Sequence, residues 1–256
     1  MRKLERGAST PFEVVGAEGR AEALVICDHA SRIIPAEYDS LGLDDTVLRR
    51  HIAWDIGAGD VARRLAVLLD APAVLCGSSR LVIDCNRPLD DPTSIPEVSD
   101  GVVVPGNQGL TPELRQERAR RYFAPYHDEI GRRLDGFAAR GIRPVVISIH
   151  SFTPIMNGFE RPWHVGLLWD REPGLAAPLI VELSRNPALV VGDNEPYSGS
   201  DPQGYGIEAY RNRRGLPMAM FEIRQDLIDT HHGAEAWAHI LHAALRPVLE
   251  AGAERF

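Results

Sequence analysis

The chain of 256 residues has 44% hydrophobic and 25% charged side chains, which is typical of a globular protein and excludes a disordered chain or a coiled coil. Its 36 acidic and 28 basic residues give a formal net charge of −8. This balance argues against nucleic acid or an anionic membrane as partner, because binding phosphates requires a surplus of Lys and Arg.

The hydropathy pattern, the N-terminal residues and the cysteines predict a cytoplasmic protein. No window approaches the ~20 apolar residues of a membrane-spanning helix, and the charged residues 1–6 are not followed by the apolar stretch of a secretory signal. Cys27, Cys76 and Cys85 are too few and too widely spaced for a disulfide scaffold. Reduced thiols fit the cytoplasm, and the oligomeric state stays open, a homo-oligomer included.

Short β-branched apolar runs alternate along the chain with longer segments of helical period. The apolar runs predict strands at residues 23–27, 72–75, 80–84, 145–149, 164–169 and 218–223. The helical period predicts helices at residues 44–50, 55–70, 111–140 with a kink near Pro125, 173–185 and 231–250. Residues 85–110 and 192–206 are polar and rich in glycine or proline, and loops of this length are usually functional.

This order of elements predicts an α/β fold. Strands that are apolar throughout and alternate with helices form largely parallel sheets covered on both faces. We therefore expect a three-layer α/β sandwich with a mostly parallel, mixed central sheet. Without a repeat or a convincing linker, the chain is expected to form one domain over residues 1–256, with residues 1–20 as a loosely packed N-terminal segment.

Histidines and carboxylates collect at the ends of several predicted strands, where ligands of open α/β sheets bind. His29 follows the first strand, His150 follows a later one, and Glu222 lies in the last. Two histidines and a carboxylate form the ligand set of a catalytic zinc, which keeps a fourth position for water. Asp28 and Asp55 are the nearby carboxylates, and Glu222 then remains to act on the water.

Several segments, taken in order, resemble the N-formylglutamate amidohydrolase family. They are CDHAS at residues 27–31, HIAWD at 51–55, IDCNR at 83–87, YFAPYH at 122–127 and SIHS at 148–151. Each motif is short, but the ordered combination is fairly specific and spans about residues 20 to 230. The family is similar in turn to zinc carboxypeptidases and aspartoacylases. The resemblance implies their zinc-exopeptidase and phosphorylase/hydrolase-like fold.

The resemblance also implies roles for particular residues. Those zinc enzymes have a histidine after the first strand, an Asn-Arg pair for a substrate carboxylate, a later ligand histidine and a Glu-aliphatic-Arg strand with the general base. This chain has the same types in the same order, at His29, Asn86 and Arg87, His150, and Glu222-Ile-Arg224.

The second metal ligand departs from the carboxypeptidase pattern. Those enzymes have a ligand Glu three residues after the first histidine, whereas position 32 is Arg here. The ligand must come from elsewhere, and the family resemblance favours Asp55, with Asp28 as the alternative. The implied metal set is one Zn²⁺ on His29, Asp55 and His150. Histidine and carboxylate ligands also suit iron, cobalt or manganese.

The resulting hypothesis is a zinc-dependent amidohydrolase that removes a formyl or other small acyl group from an amino acid with a free carboxylate. Glu222 would act as the general base, Arg80 would stabilise the oxyanion, and Asn86 with Arg87 would hold the carboxylate. Tyr205, in the second polar loop, is expected to contact the substrate. The partner would be a small N-acyl amino acid, N-formyl-L-glutamate first.

Two alternatives to this hypothesis remain. One is a metallo-deacylase or carboxypeptidase-like enzyme that acts on another N-acyl amino acid in the same pocket. The other is a metal-free protein that binds carboxylates without turnover, although pure carboxylate recognition would need neither Glu222 nor the two histidines.

Overall fold

Eleven β-strands are present in the computed structural model, which describes residues 10–200 and 204–252. In chain order they are β1 (Phe12–Val15), β2 (Ala23–Cys27), β3 (Ala73–Cys76), β4 (Val98–Ser99), β5 (Val102–Val103), β6 (Val145–Phe152), β7 (Ile155–Met156), β8 (Phe159–Glu160), β9 (Val165–Leu168), β10 (Val191–Asp193) and β11 (Met218–Arg224). Of the segment expected to be loosely packed, residues 1–9 lie outside the described residues, and β1 is a strand that the sequence did not predict.

Seven of these strands form one sheet in the order β1-β3-β2-β6-β11-β9-β10. Strands β3, β2, β6 and β11 run parallel, β9 is antiparallel to β11, and β1 is antiparallel to β3. The remaining four strands form two small hairpins, β4-β5 and β7-β8. The predicted mixed, mostly parallel sheet is therefore confirmed.

Six α-helices accompany the sheet in the part of the chain that the structure describes. They are α1 (Asp45–Leu48), α2 (Ala58–Leu69), α3 (Pro112–Arg118), α4 (Ala124–Ala139), α5 (Ala176–Ser184) and α6 (His231–Glu250). Helix α6 begins where the sequence predicted, because the Thr230 hydroxyl accepts a hydrogen bond from the Gly233 N–H at 3.1 Å. Between α3 and α4, a π-helical turn at Ala119–Phe123 lies where the kink near Pro125 was expected.

Two apolar clusters, one on each face of the sheet, form the core. Alternate side chains of β2 enter different clusters: Val25 packs with residues of α2, α5 and α6, whereas Ile26 packs with residues of α4. All five residues of β2 are buried, as expected for a strand covered on both sides. The predicted three-layer α/β sandwich is thus confirmed.

The segment at residues 80–84 forms a buried turn, so the strand predicted there is wrong. Its side chains Leu81, Val82 and Ile83 are fully buried, which explains the apolar pattern. Its backbone is satisfied by other loops, since the Arg80 N–H donates to the Ala53 carbonyl and the Asp84 N–H donates to the Ser94 carbonyl. An apolar run predicts burial, and here burial comes without strand pairing.

No helix within residues 10–200 and 204–252 combines the length and the apolar character needed to cross a membrane.

Gly57 provides a test of how α2 is held against the segment between β11 and α6. This residue precedes α2 with a φ of +79°, and a Cβ on it would collide with the Ile228 carbonyl. We expect Gly57→Ala to lower the free energy of unfolding by about 2–4 kcal/mol, from the left-handed backbone and the forced displacement together. Urea denaturation of the purified variant measures this change.

Gly136→Ala is the matched control for that experiment. Gly136 lies within α4, and a Cβ there would meet no atom within 4 Å. This variant should gain up to about 1 kcal/mol from its helix propensity. Equal denaturation midpoints for the two variants would contradict the predicted constraint at Gly57.

Candidate active site

Polar side chains from three adjacent parallel strands meet at the carboxyl edge of the sheet. His29 follows β2, His150 lies in β6, and Glu222 lies in β11. The register pairs His150 directly with Glu222, so both side chains point to the same face. All three residues are buried. The strand order therefore assembles groups that are far apart in sequence.

His29, Asp55 and His150 form a compact group of metal-ligating side chains. The Nδ1 atoms of the two histidines lie 3.2 Å (His29) and 2.9 Å (His150) from the same Oδ2 atom of Asp55. The segment before α2 brings Asp55 to this place, where its N–H donates to the His29 carbonyl at 3.0 Å. One ligand atom from each residue lies within 4.8 Å of the others, so the group could hold a metal ion.

The opposite nitrogens of the two imidazoles are held by further groups. His29 Nε2 lies 2.7 Å from Asp84 Oδ1, while His150 Nε2 lies 3.1 Å from Ser148 Oγ and 3.2 Å from Asp28 Oδ2. Such partners on the outer nitrogen are typical of metal-binding histidines, because they fix the ring and leave the other nitrogen for the metal. Asp28 is held in turn by the Tyr126 hydroxyl, which donates to its Oδ1 at 2.8 Å.

The charges of this cluster also suit a divalent cation. Three buried aspartates surround the two histidines: Asp28, Asp55 and Asp84. Only Arg80 pairs with them as a permanent cation among the described residues. With both imidazoles neutral, the cluster carries three negative charges and one positive, and a bound divalent ion balances the difference. The donor set therefore fits a metal in both geometry and charge.

The ionisation of the cluster reflects the same imbalance. Burial disfavours the charged imidazolium of His150, yet hydrogen bonds to Asp28 and Asp55 outweigh it and raise its pKa well above the usual range. Burial likewise opposes the charge of Asp84, but Arg80 and His29 hold its pKa far below the usual range. The pocket is built to keep its aspartates ionised.

Glu222 differs from these aspartates in its environment. It is 7% exposed, and its Oε2 atom has no hydrogen-bond partner within the described ranges. Burial raises its pKa to about 7, although the neighbouring His150 works in the opposite direction. A carboxylate with a pKa near neutrality and a vacant oxygen is suited to exchanging protons at physiological pH.

A cavity of about 220 Å³ opens above these residues. This volume is below the range of pockets for drug-sized ligands, so it suits a small molecule. Asp55, His150 and Glu222 line the cavity together with Arg80 and Arg87. The Arg87 guanidinium makes no ion pair with a carboxylate in the part of the chain that the structure describes.

Arg80 and Asn86 line the cavity and also form hydrogen bonds with other parts of the protein. Arg80 donates to both Asp84 (2.8 and 3.1 Å) and Asp55 (3.3 Å), and 27% of its side chain is exposed. Asn86 Oδ1 accepts from the Gly206 N–H at 3.2 Å, so it connects the cavity to the second polar loop.

The structure separates several alternatives that the sequence left open. Asp55 lies at the inner nitrogens of the histidines, whereas Asp28 lies at the outer nitrogen of His150. Tyr205 packs its ring against Phe123 and His127 and is not among the residues that line the cavity. Tyr197, from the same polar loop, lines the cavity in its place.

Asp84 belongs to the IDCNR motif, and the sequence left its role in the site open. In the structure this carboxylate bonds His29 and Arg80. The sequence also did not indicate a role for His51, which lines the cavity. The available signal was proximity, since Asp84 precedes the Asn86-Arg87 pair and His51 begins the motif that ends at Asp55.

Comparisons with known proteins cover almost the whole chain. The family model described as N-formylglutamate amidohydrolase matches residues 21–229. The solved structure of gene product Atu2144 from Agrobacterium tumefaciens is 34% identical with a TM-score of 0.89, over 98% of this chain and 99% of that one. The N-formylglutamate amidohydrolase from Ralstonia eutropha JMP134 is 21% identical with a TM-score of 0.68, over 96% and 99% of the two chains.

An aspartoacylase family protein from Mesorhizobium loti MAFF303099 is 12% identical with a TM-score of 0.37, over 95% of this chain and 69% of that one. Among curated proteins no match was found.

Zinc binding tests the contribution of the groups that hold the outer nitrogens of the two histidines. We expect the wild-type protein to bind one equivalent of Zn²⁺ and Asp84→Asn to bind it about 10–100-fold more weakly, because the neutral amide no longer supports His29 and no longer pairs with Arg80. Competition with a fluorescent chelator at constant pH measures both affinities. Asp90→Asn, on an exposed residue of the following loop, is the control and should match wild type. Equal affinities of Asp84→Asn and wild type would contradict this account.

Proposed function

The chain belongs to the N-formylglutamate amidohydrolase family, as its ordered motifs predict, and on that premise we propose that it hydrolyses N-formyl-L-glutamate to formate and L-glutamate. Family membership makes the chain an amide hydrolase. The observation that carries the choice of chemistry is the pairing of Glu222 with His150 across neighbouring strands. It gives a general base beside a group that could hold a metal ion, on a cavity of amino-acid size.

His29, Asp55 and His150 would hold the ion, with zinc as the first choice. When bound, such an ion polarises the substrate carbonyl and makes water more acidic at neutral pH. The chain's own residues supply the remaining functions. Glu222 would transfer the proton, and Arg80, Asn86 and Arg87 would bind the substrate.

Glu222 moves the proton in this proposal. Its vacant Oε2 accepts a proton from the attacking water while the water oxygen forms a bond to the formyl carbon. The protonated carboxyl then donates to the nitrogen of the amino acid as the C–N bond breaks, which yields formic acid and the amine. One proton passes from the acid to the amine, so the products are formate and L-glutamate with a protonated amino group. A pKa of about 7 suits both transfers, because neither protonation state is strongly favoured at neutral pH.

Arg80, Asn86 and Arg87 bind the charged parts of the substrate. Arg87 faces the cavity without an ion-pair partner among described residues, and its planar guanidinium suits a bidentate carboxylate. A guanidinium has five N–H donors. Three hydrogen bonds of Arg80 go to aspartates, which leaves two N–H groups for the oxygen that becomes negative during attack.

Formate release from N-formyl-L-glutamate tests the proposal directly. Zinc-loaded protein should release one formate per L-glutamate, and removal of the metal by a chelator should abolish release, because the ligand group then lacks its Lewis acid. Enzymatic determination of formate measures the rate, with readdition of Zn²⁺ as the control. A zinc-bound protein without release would contradict the named substrate, and a panel of N-acyl amino acids would then identify the acyl group.

Replacement of the general base separates chemistry from metal binding. Glu222→Gln should lower kcat by at least ~10²-fold, because the amide cannot accept the proton, while zinc content stays at one equivalent. Formate assays with metal analysis of the same sample check both statements. Glu18→Gln, on an exposed loop before β2, is the matched control. A fully active Glu222→Gln protein would show that another residue is the base.

A further inference from the structure

The loop after β10 crosses the sheet beside Glu222. Gly166 of β9 pairs with Glu222 of β11, so a side chain at position 166 would stand next to that of Glu222 on the same face. The Glu195 carbonyl occupies this space, and a Cβ on Gly166 would collide with it. The chain two residues further on, at Tyr197, therefore enters the cavity at its Glu222 end.

Several bonds fix this loop to the sheet. The Asn194 N–H donates to the Leu167 carbonyl at 3.0 Å, and the Asn194 side-chain oxygen accepts from the N–H groups of Trp169 (2.8 Å) and Gly199 (3.2 Å). Gly199 itself lies so close to the Trp169 backbone that a Cβ would not fit. The backbone is thus held in place both before and after Tyr197.

Arg161 orients the Tyr197 hydroxyl. The residue is 7% exposed, and its guanidinium donates from Nη1 to the Tyr197 hydroxyl oxygen at 3.0 Å and to the Thr153 carbonyl and hydroxyl at 3.3 Å each. Arg161 has no ion pair with a carboxylate among residues 10–200 and 204–252. A buried cation without an acidic partner lowers stability, because its desolvation is not compensated. Its presence behind a residue of the cavity therefore indicates a functional role.

The donor and acceptor inventory fixes the direction of the remaining proton. A guanidinium only donates, so the Tyr197 oxygen accepts from Arg161 and its own O–H points elsewhere. No described residue accepts that proton. Burial and the charges of Glu222 and Asp55 raise the pKa of Tyr197, so the hydroxyl stays protonated at neutral pH. The adjacent cation also polarises the O–H bond and strengthens it as a donor.

We propose that Tyr197 is a catalytic residue that donates a hydrogen bond to the formyl oxygen as negative charge develops on it, and that Arg161 is its positioning residue. The inference rests on the proposed function. It adds the Tyr197 hydroxyl, beside Arg80, as a second hydrogen-bond donor to the formyl oxygen. Tyr197 lies at the Glu222 end of the cavity, where the acyl carbon reacts. A donor there acts mainly in the transition state and changes kcat more than KM.

Tyr197→Phe tests this role by removing only the hydroxyl. With N-formyl-L-glutamate, kcat should fall at least ~10-fold, toward the ~10² typical of an oxyanion donor, while KM changes by less than about threefold. Tyr38→Phe is the control, since its buried hydroxyl has no hydrogen-bond partner among the described residues and does not line the cavity. An unchanged kcat, or a raised KM with normal kcat, would overturn the proposal; the second result would place Tyr197 on a substrate carboxylate.

Ligand affinity provides a readout without turnover. A phosphonamidate analogue of the tetrahedral intermediate should bind Tyr197→Phe at least ~10-fold more weakly than wild type, whereas L-glutamate should bind both equally. Calorimetry measures both affinities. Equal loss for both ligands would overturn the assignment to the reacting oxygen.

A double-mutant cycle tests the part of Arg161. Arg161→Met should lower kcat like Tyr197→Phe, and the double variant should lose no more than Tyr197→Phe alone, because Arg161 acts through the hydroxyl. Additive losses would show that Arg161 acts independently and would overturn its positioning role. If wild type releases no formate, the proposed function fails first; if wild type is active and the variants match it, only this inference fails.

Discussion

The burial of three aspartates at one edge of the sheet is the constraint on which the rest of the structure depends. An isolated buried carboxylate costs several kcal/mol, so Asp28, Asp55 and Asp84 require cationic or hydrogen-bonding partners at close range. Those partners come from different elements: His29 follows β2, His150 lies in β6, and Arg80 belongs to a buried turn. The cluster is satisfied only when the parallel strands are in register, which makes correct strand pairing a condition for a stable site.

The segment at residues 80–84 shows how this constraint changes local structure. Its apolar side chains are as buried as those of a strand, but its backbone turns, so Arg80 and Asp84 both face the cluster. In an extended strand the two residues, four apart, would also share a face but would stand about 13 Å apart. The Arg80 guanidinium instead bonds Asp84 directly and reaches Asp55 as well. Local propensity yields here to the requirement of the charged cluster.

The parts of the fold set by apolar patterns were predictable from sequence, whereas those set by long-range contacts were not. The uniform burial of β2, β6 and β11 produces the runs that identified them, and helix α6 carries its own cap at Thr230. The edge strand β1 is only partly buried throughout and lacks such a run. Its pairing with β3 depends on a contact across about sixty residues, which no local pattern encodes.

The same distinction applies to the site. His29, His150 and Glu222 could be placed together because strand ends of a parallel sheet share one edge. The choice between Asp55 and Asp28 depends on which imidazole nitrogen each one faces, and this is a matter of side-chain geometry. Tyr197 and Tyr205 both lie in the polar segment 192–206, and only the path of the chain over Gly166 directs Tyr197 to the cavity.

The distribution of charge along the cavity explains how a small substrate would take one orientation. Glu222 and Asp55 make one end acidic, and a carboxylate there would meet like charge in a poorly solvated environment. Arg87, which has no carboxylate partner within the described residues, gives the cavity an anion-binding group. An uncharged formamide fits the acidic end, and the carboxylate of the amino acid fits Arg87. For the proposed substrate, orientation would therefore follow from electrostatics before any contact specific to the side chain, because the carboxylate is attracted by Arg87 and repelled by Glu222 and Asp55.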